Sequence, residues 1–360
     1  MFILSAGIGI LAASTATQPS TAGADINPAA TAVVLFAILF FSALSLVLAI
    51  RFGVFHRANI VGPDRLPNQG AGMLLGVFFF TLIVWMCAQS AYLTYRQSQW
   101  RKEGINDIPT HTEALLNTRD WATLSTIPPM LGFAFMLGAG AFLNRGWLDR
   151  LGINARNFWP GIRSGIIGFL IAGPPVFWTL ILLNALYQFI QYDHPKEHVL
   201  LKSLGEAEHR GAGLLIALGA TICAPLFEEF LFRGHLQTLI RHMLMRLHSK
   251  RPSIEVEPAP VLLTFGSSEI PSLLATSIAP VLAQKPLLQP APWHGWIAIF
   301  ITSLIFAGFH PLWMWPPIFV LSLGLGYIYE RTGNLWATIT IHCLFNSLET
   351  LQYLLLMRGH

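Results

Sequence analysis

Charged residues are scarce in this sequence. Asp, Glu, Lys and Arg make up 11% of its 360 residues, against about a quarter in soluble globular domains. A chain so poor in charge cannot cover a water-facing surface of ordinary size, so a soluble protein is excluded. Lys and Arg are absent from the first 50 residues. No basic run is interleaved with aromatic residues in the manner that single-stranded nucleic acid requires. The net charge of +4 therefore reads as cations flanking membrane helices, not as nucleic-acid binding. Cysteines are few: Cys87, Cys223 and Cys343, each in an apolar segment. An odd number without short-range pairing excludes a disulfide framework, and each reads as a small buried hydrophobe. No internal repeat is visible, which argues against a transporter built from two related halves.

What the chain has is apolar length. Hydrophobic residues make up 54% of it, and runs of about 20 residues, enough to cross ~30 Å of hydrocarbon, recur along it. The expected fold is an all-α, polytopic transmembrane helical bundle of about eight spans. These are Ala29–Ile50, Gly70–Tyr95, Trp121–Leu143, Gly165–Ile190, Gly211–Phe232, Gly295–His310, Leu312–Tyr329 and Asn334–Met357. Residues 1–28 form a short N-terminal apolar segment or a cleaved leader. Residues 29–210 form a set of helices with basic loops. Residues 211–357 form a second membrane unit, interrupted by an extramembrane loop over 248–293 that is rich in Pro and Ser. From Arg233 the chain is expected to leave the membrane, with Leu236–Leu247 as a basic amphipathic continuation. Pro128-Pro129 and Pro174-Pro175 fall inside spans, where neighbouring helices can re-satisfy the carbonyls they free. The cation-free N-terminus against Arg51, Arg57 and Arg65 favours an outside N-terminus.

Ionisable groups at apolar depth cost several kcal/mol and mark function by default. The first set is Glu228-Glu229-Phe-Leu-Phe-Arg233. Glu229 and Arg233, four apart, share a helix face and can pair. Glu228 lies about 100° round the helix and is left without that partner. A structural ion pair accounts for Glu229 and Arg233 but not for Glu228, which suits a general base. The second is Phe306-Ala-Gly-Phe-His310; a lone histidine at a helix end is by itself more often structural. The third is His342-Cys-Leu-Phe-Asn346, whose spacing projects an imidazole and an amide from one face. Such donors serve an oxyanion site or interhelical hydrogen bonds equally well. His194-Pro-Lys-Glu197-His198 matches the H-x-x-E-H pattern of a zinc peptidase, but it falls in a loop where chance is the better explanation.

Taken in this order, E-E-x-x-x-R, F-x-x-x-H and H-x-x-x-N resemble the CPBP (Abi) family of intramembrane proteases. That family includes the CAAX-prenyl endopeptidase and bacteriocin-immunity proteins. Ala224-Pro225, Phe232-Arg233-Gly234 and the run from Gly326 through Glu330 to Trp336 strengthen the likeness, which covers Leu214–Leu348. The resemblance implies that Glu228 and His310 bind and activate water. It implies that His342 and Asn346 stabilise the oxyanion, and that Glu229 and Arg233 support the site. It also implies a peptide or lipidated protein as substrate. If a metal were bound, Glu228, His310 and His342 would be an acceptable set for zinc, and a metal-free mechanism with glutamate as base fits the same residues. The expected location is the bacterial inner membrane. The rival reading is a non-catalytic scaffold or immunity-type protein within the bilayer.

One expectation conflicts with this picture. At ~1.5 Å per residue, Glu228 lies about 22 Å along its span and His310 about 21 Å along the next. Antiparallel helices across a ~30 Å core would then set the two side chains about 13 Å apart in depth. Either the sixth span is misplaced or Pro225 breaks the fifth.

Overall fold

The computed structural model describes residues 28–54, 71–105, 115–143, 146–192, 204, 210–249 and 292–357. Helices α1 (Pro28–Arg51), α2 (Ala71–Lys102), α3 (Thr118–Leu143), the short α4 (Trp147–Arg150) and α5 (Ala155–Phe189) come first. One long helical stretch follows: α6 (Arg210–Leu218), a π-helical turn (Gly219–Cys223), α7 (Ala224–Glu229), a second π segment (Phe230–Gln237) and α8 (Thr238–Ser249). Then come α9 (Pro292–Gly308), a 3₁₀ turn (Leu312–Met314), α10 (Trp315–Thr332) and α11 (Leu335–Met357). Among the described residues there is no strand, and the chain is an all-α integral membrane protein. Among the described residues five helices are long and apolar enough to cross a bilayer, and two apolar helices, Phe36–Arg51 and Trp293–Gly308, are shorter. Phe36, Phe80, Leu182 and Phe189 project outward, a surface that lipid, not water, would cover. The H-x-x-E-H pattern at 194–198, residues 1–27 and residues 250–291 lie outside the described residues.

Two carbonyls that lie four residues before a proline accept hydrogen bonds from elsewhere in the bundle. Ser45 on α1 donates to the Ile171 carbonyl at 2.8 Å, the group four residues before Pro175. Tyr187 at the end of α5 donates to the Trp313 carbonyl at 2.9 Å, four residues before Pro317. For Pro175 a neighbouring helix supplies the donor, as expected.

Close approach of α5 and α11 rests on missing side chains. Gly161, Gly165 and Gly168 face α11, and a Cβ at Gly165 would stand 2.7 Å from the Ala337 carbonyl oxygen. Small residues in such a row are how membrane helices pack without a hydrophobic driving force. The seam fixes α11, and with it His342 and Asn346.

The fifth span does not end at Phe232. The helix continues through Arg233 to Ser249, and Gly211–His248 is 38 residues long, about 57 Å at 1.5 Å per residue. The reason lies in what its polar residues meet. Arg233 donates to the Ser322 hydroxyl at 2.7 Å, Gln237 to the Gly326 carbonyl at 3.1 Å, and Arg241 pairs with Glu330 at 3.1 Å. Each pair is 89 positions apart, so the long helix and α10 run parallel, one turn per rung. Arg241 and His242, expected on a solvated face, are buried.

The depth conflict resolves for the same reason. α9 packs antiparallel to the second half of the long helix, not the first. His248 meets Trp293 at one end (ring centroids 5.7 Å apart) and Phe232 meets Phe306 at the other (4.9 Å). His310, just past α9, therefore returns to the level of Glu228.

Candidate active site

Glu229 and Arg233 form the buried anchor. Both side chains are wholly inaccessible, with Arg233 Nη1 2.9 Å from Glu229 Oε1. The guanidinium also lies over the Phe306 ring, 4.5 Å from its centroid, so three elements hold it. The same carboxylate oxygen accepts from His342 Nδ1 at 2.8 Å. A carboxylate paired with arginine can only accept, so Nδ1 carries the hydrogen and Nε2 is directed elsewhere. It faces Glu228, 3.7 Å from Oε2. That gap is longer than a direct hydrogen bond and leaves the two groups facing one another across it.

Glu228 differs from its neighbour as the helical geometry predicts. Its side chain is 23% exposed, against 0% for Glu229. It lines a cavity of about 130 Å³ together with His310, Trp85, Leu82, Phe227 and Phe309. His310 Nδ1 lies 2.9 Å from the Phe306 carbonyl oxygen. A carbonyl cannot donate, so Nδ1 carries the hydrogen and Nε2 is the acceptor left for a ligand. The structure thus sets Glu228 in one cavity with His310 and 3.7 Å from His342.

Asn346 is placed one turn beyond His342, and its amide donates to the Ala220 carbonyl at 2.8 Å. In the π register here, Ala224 N–H reaches Gly219 O, so Ala220 O is the acceptor that Pro225, lacking an N–H, cannot serve. Asn346 serves it instead. The other amide hydrogen is not committed by this bond.

Glu228, His310 and His342 would be the donors of a zinc ion. Among the described residues, however, no three His, Cys, Asp or Glu side chains converge as a metal requires. As placed they do not fit zinc, and no step below runs through one.

Sequence reasoning missed Trp85, which α2 carries into the cavity wall, and the rungs formed by Gln237, Arg241 and Ser322. Gln237 and Arg241 were within reach: they continue the Glu229–Arg233 stripe at four-residue steps. Trp85 gave no signal, because its role depends on which helix packs beside Phe227.

Residues 210–348 match the type II CAAX prenyl endopeptidase Rce1-like family. This agrees with the CPBP family that the order of the three motifs had indicated and, over these residues, supports a CAAX-type intramembrane protease at the family level. No curated protein and no solved structure matches the chain. The match contains every polar residue of the site and stops short of α2 and α3, which supply the opposite cavity wall.

Proposed function

We propose that this protein is an intramembrane endopeptidase that hydrolyses a peptide bond in a membrane-associated or lipidated substrate, using water activated by Glu228. The observation that carries this reading is that Glu228 and His310 line one cavity while His342, its ring oriented by Glu229, stands 3.7 Å from Glu228. Glu228 takes a proton from water, and His310 Nε2 accepts the water's other hydrogen bond. The water oxygen attacks the carbonyl carbon, and the C–N bond breaks as Glu228 returns its proton to the leaving amine.

The oxyanion formed on attack needs donors. With Nδ1–H given to Glu229, His342 presents Nε2–H only as the imidazolium. The uncommitted hydrogen of Asn346 is assigned as the second donor. We propose the bacterial inner membrane as its location, a reading supported by its long apolar helices.

The test is cleavage of a panel of prenylated and unprenylated peptides by protein in liposomes. Glu228→Gln and His342→Ala are expected to lower turnover by at least about 100-fold, and a chelator is expected to leave the wild type unchanged. Cleavage by Glu228→Gln at the wild-type rate would overturn the reading in favour of a scaffold. Loss on chelation, restored by zinc, would overturn the metal-free mechanism.

A further inference from the structure

One oxygen of the Glu229 carboxylate is left over. Oε1 accepts from Arg233 Nη1 at 2.9 Å and from His342 Nδ1 at 2.8 Å, which occupies both of its lone pairs. Oε2 is buried and accepts no hydrogen bond. A carboxylate oxygen left unmet away from water destabilises the site that buries it, so such an atom calls for an explanation. The side chain is wholly inaccessible, so its donor comes from the bundle and not from substrate.

Thr338 is placed to supply it. The residue is buried on α11, one turn before His342, so the two side chains leave the helix on one face. Its hydroxyl stands close enough to Glu229 to hydrogen-bond with the carboxylate. The hydroxyl has one hydrogen, directed to the Leu335 carbonyl at 3.0 Å. That carbonyl opens α11 and has the Ile339 N–H as its donor in the regular helical pattern. A threonine that bonds back to its own helix gains little, whereas a hydroxyl donating to a carboxylate makes one of the stronger bonds. Hydroxyl hydrogens rotate to suit their surroundings, and one such rotation moves this hydrogen from Leu335 to Glu229.

We infer that Thr338 is a positioning residue for the hydrolysis: its hydroxyl donates to Glu229 Oε2 and holds the carboxylate with Oε1 towards His342. This rests on the protease reading above. With both oxygens tied the carboxylate cannot turn, and the His342 ring keeps Nε2 facing Glu228 at 3.7 Å. Thr338 is not among the residues that line the cavity, so it reaches the reacting groups only through Glu229 and His342. It also belongs to none of the three sequence motifs.

The experiment uses full-length protein in liposomes and a labelled peptide that the wild type cleaves. Thr338→Val keeps the shape of the side chain and removes the hydroxyl. It is expected to lower kcat by about 10- to 100-fold, the scale set by a displaced catalytic group, with KM nearly unchanged. Thr338→Ser restores the hydroxyl and should recover most of kcat. Thr338→Cys, whose thiol is a weak donor, should give an intermediate kcat, and it carries the test should the valine variant not fold. In a His342→Ala background, adding Thr338→Val should leave the single-turnover rate unchanged. An equal further loss there would show that Thr338 acts through packing and not through His342, and the inference would fall. It would fall equally if Thr338→Val or Thr338→Cys cleaved with the wild-type kcat, or if Thr338→Ser recovered none of the loss. In each of those cases a continued dependence on Glu228 leaves the protease reading standing. If Glu228→Gln cleaves at the wild-type rate, both fall.

Discussion

The adjacent glutamates are chemically identical and are given different work by their position on the helix. Glu229 points into the bundle, where Arg233 and His342 take the same carboxylate oxygen. Glu228 points about 100° away into the cavity. Removing a partner from a buried pair leaves an uncompensated charge, so Arg233→Met should destabilise the protein by about 3–5 kcal/mol, measured as loss of thermal stability in detergent. Adding Glu229→Gln should recover part of that stability, because no charge is then left unpaired. It should not recover turnover, since His342 loses the carboxylate that orients its ring. Recovery of both would show that Glu229 serves packing alone. The Glu229–Arg233 pairing and the separate status of Glu228 were both legible in a four-residue spacing. The link from Glu229 to His342, 113 positions away, was not, because spacing on one helix says nothing about which helix lies opposite.

Among the elements, the π-helical turn before the glutamates sets the phase of everything after it. Pro225 cannot donate, the register widens, and Asn346 fills the vacated position on Ala220 O. Replacing Asn346 by alanine should therefore leave a carbonyl unmet, costing about 1–3 kcal/mol, together with a fall in turnover. Pro225→Ala restores a backbone N–H to that carbonyl. In the double variant Pro225→Ala/Asn346→Ala, stability should return towards the wild type while turnover stays low, if the second amide hydrogen serves the oxyanion. Return of both quantities would reduce Asn346 to a helix cap. A thermal melt and a single-turnover assay on the four proteins of the cycle distinguish the outcomes. The prolines themselves were easy to see in the sequence. Their partners Ser45, Tyr187 and Asn346 were not, since each lies far away along the chain.

At the scale of the whole molecule, the long helix is the organising element. Its first half packs with α3, its middle carries both glutamates, and its second half lies parallel to α10 and antiparallel to α9. This predicts proximity between positions on either side of residues 250–291. In a background without Cys87, Cys223 and Cys343, the pair His248→Cys and Trp293→Cys should be joined rapidly by a short bifunctional thiol reagent. His248→Cys with Phe309→Cys, at opposite ends of α9, should not. Equal yields from the two pairs would contradict the antiparallel register and reopen the depth conflict between Glu228 and His310.

The sequence by itself determined that the chain is a helical membrane protein, since low charge and long apolar runs leave no other way to satisfy the backbone. It also singled out the polar residues that the fold draws together, because polar groups at apolar depth are too costly to be incidental. Where the fifth span ends was decided only by tertiary structure. Arg233, Gln237 and Arg241 look like an exit to water until Ser322, Gly326 and Glu330 are set against them, and a charge inside a membrane is acceptable only with its partner in place. The site's opposite wall was decided in the same way: an indole on α2 becomes part of it only because α2 packs beside Phe227.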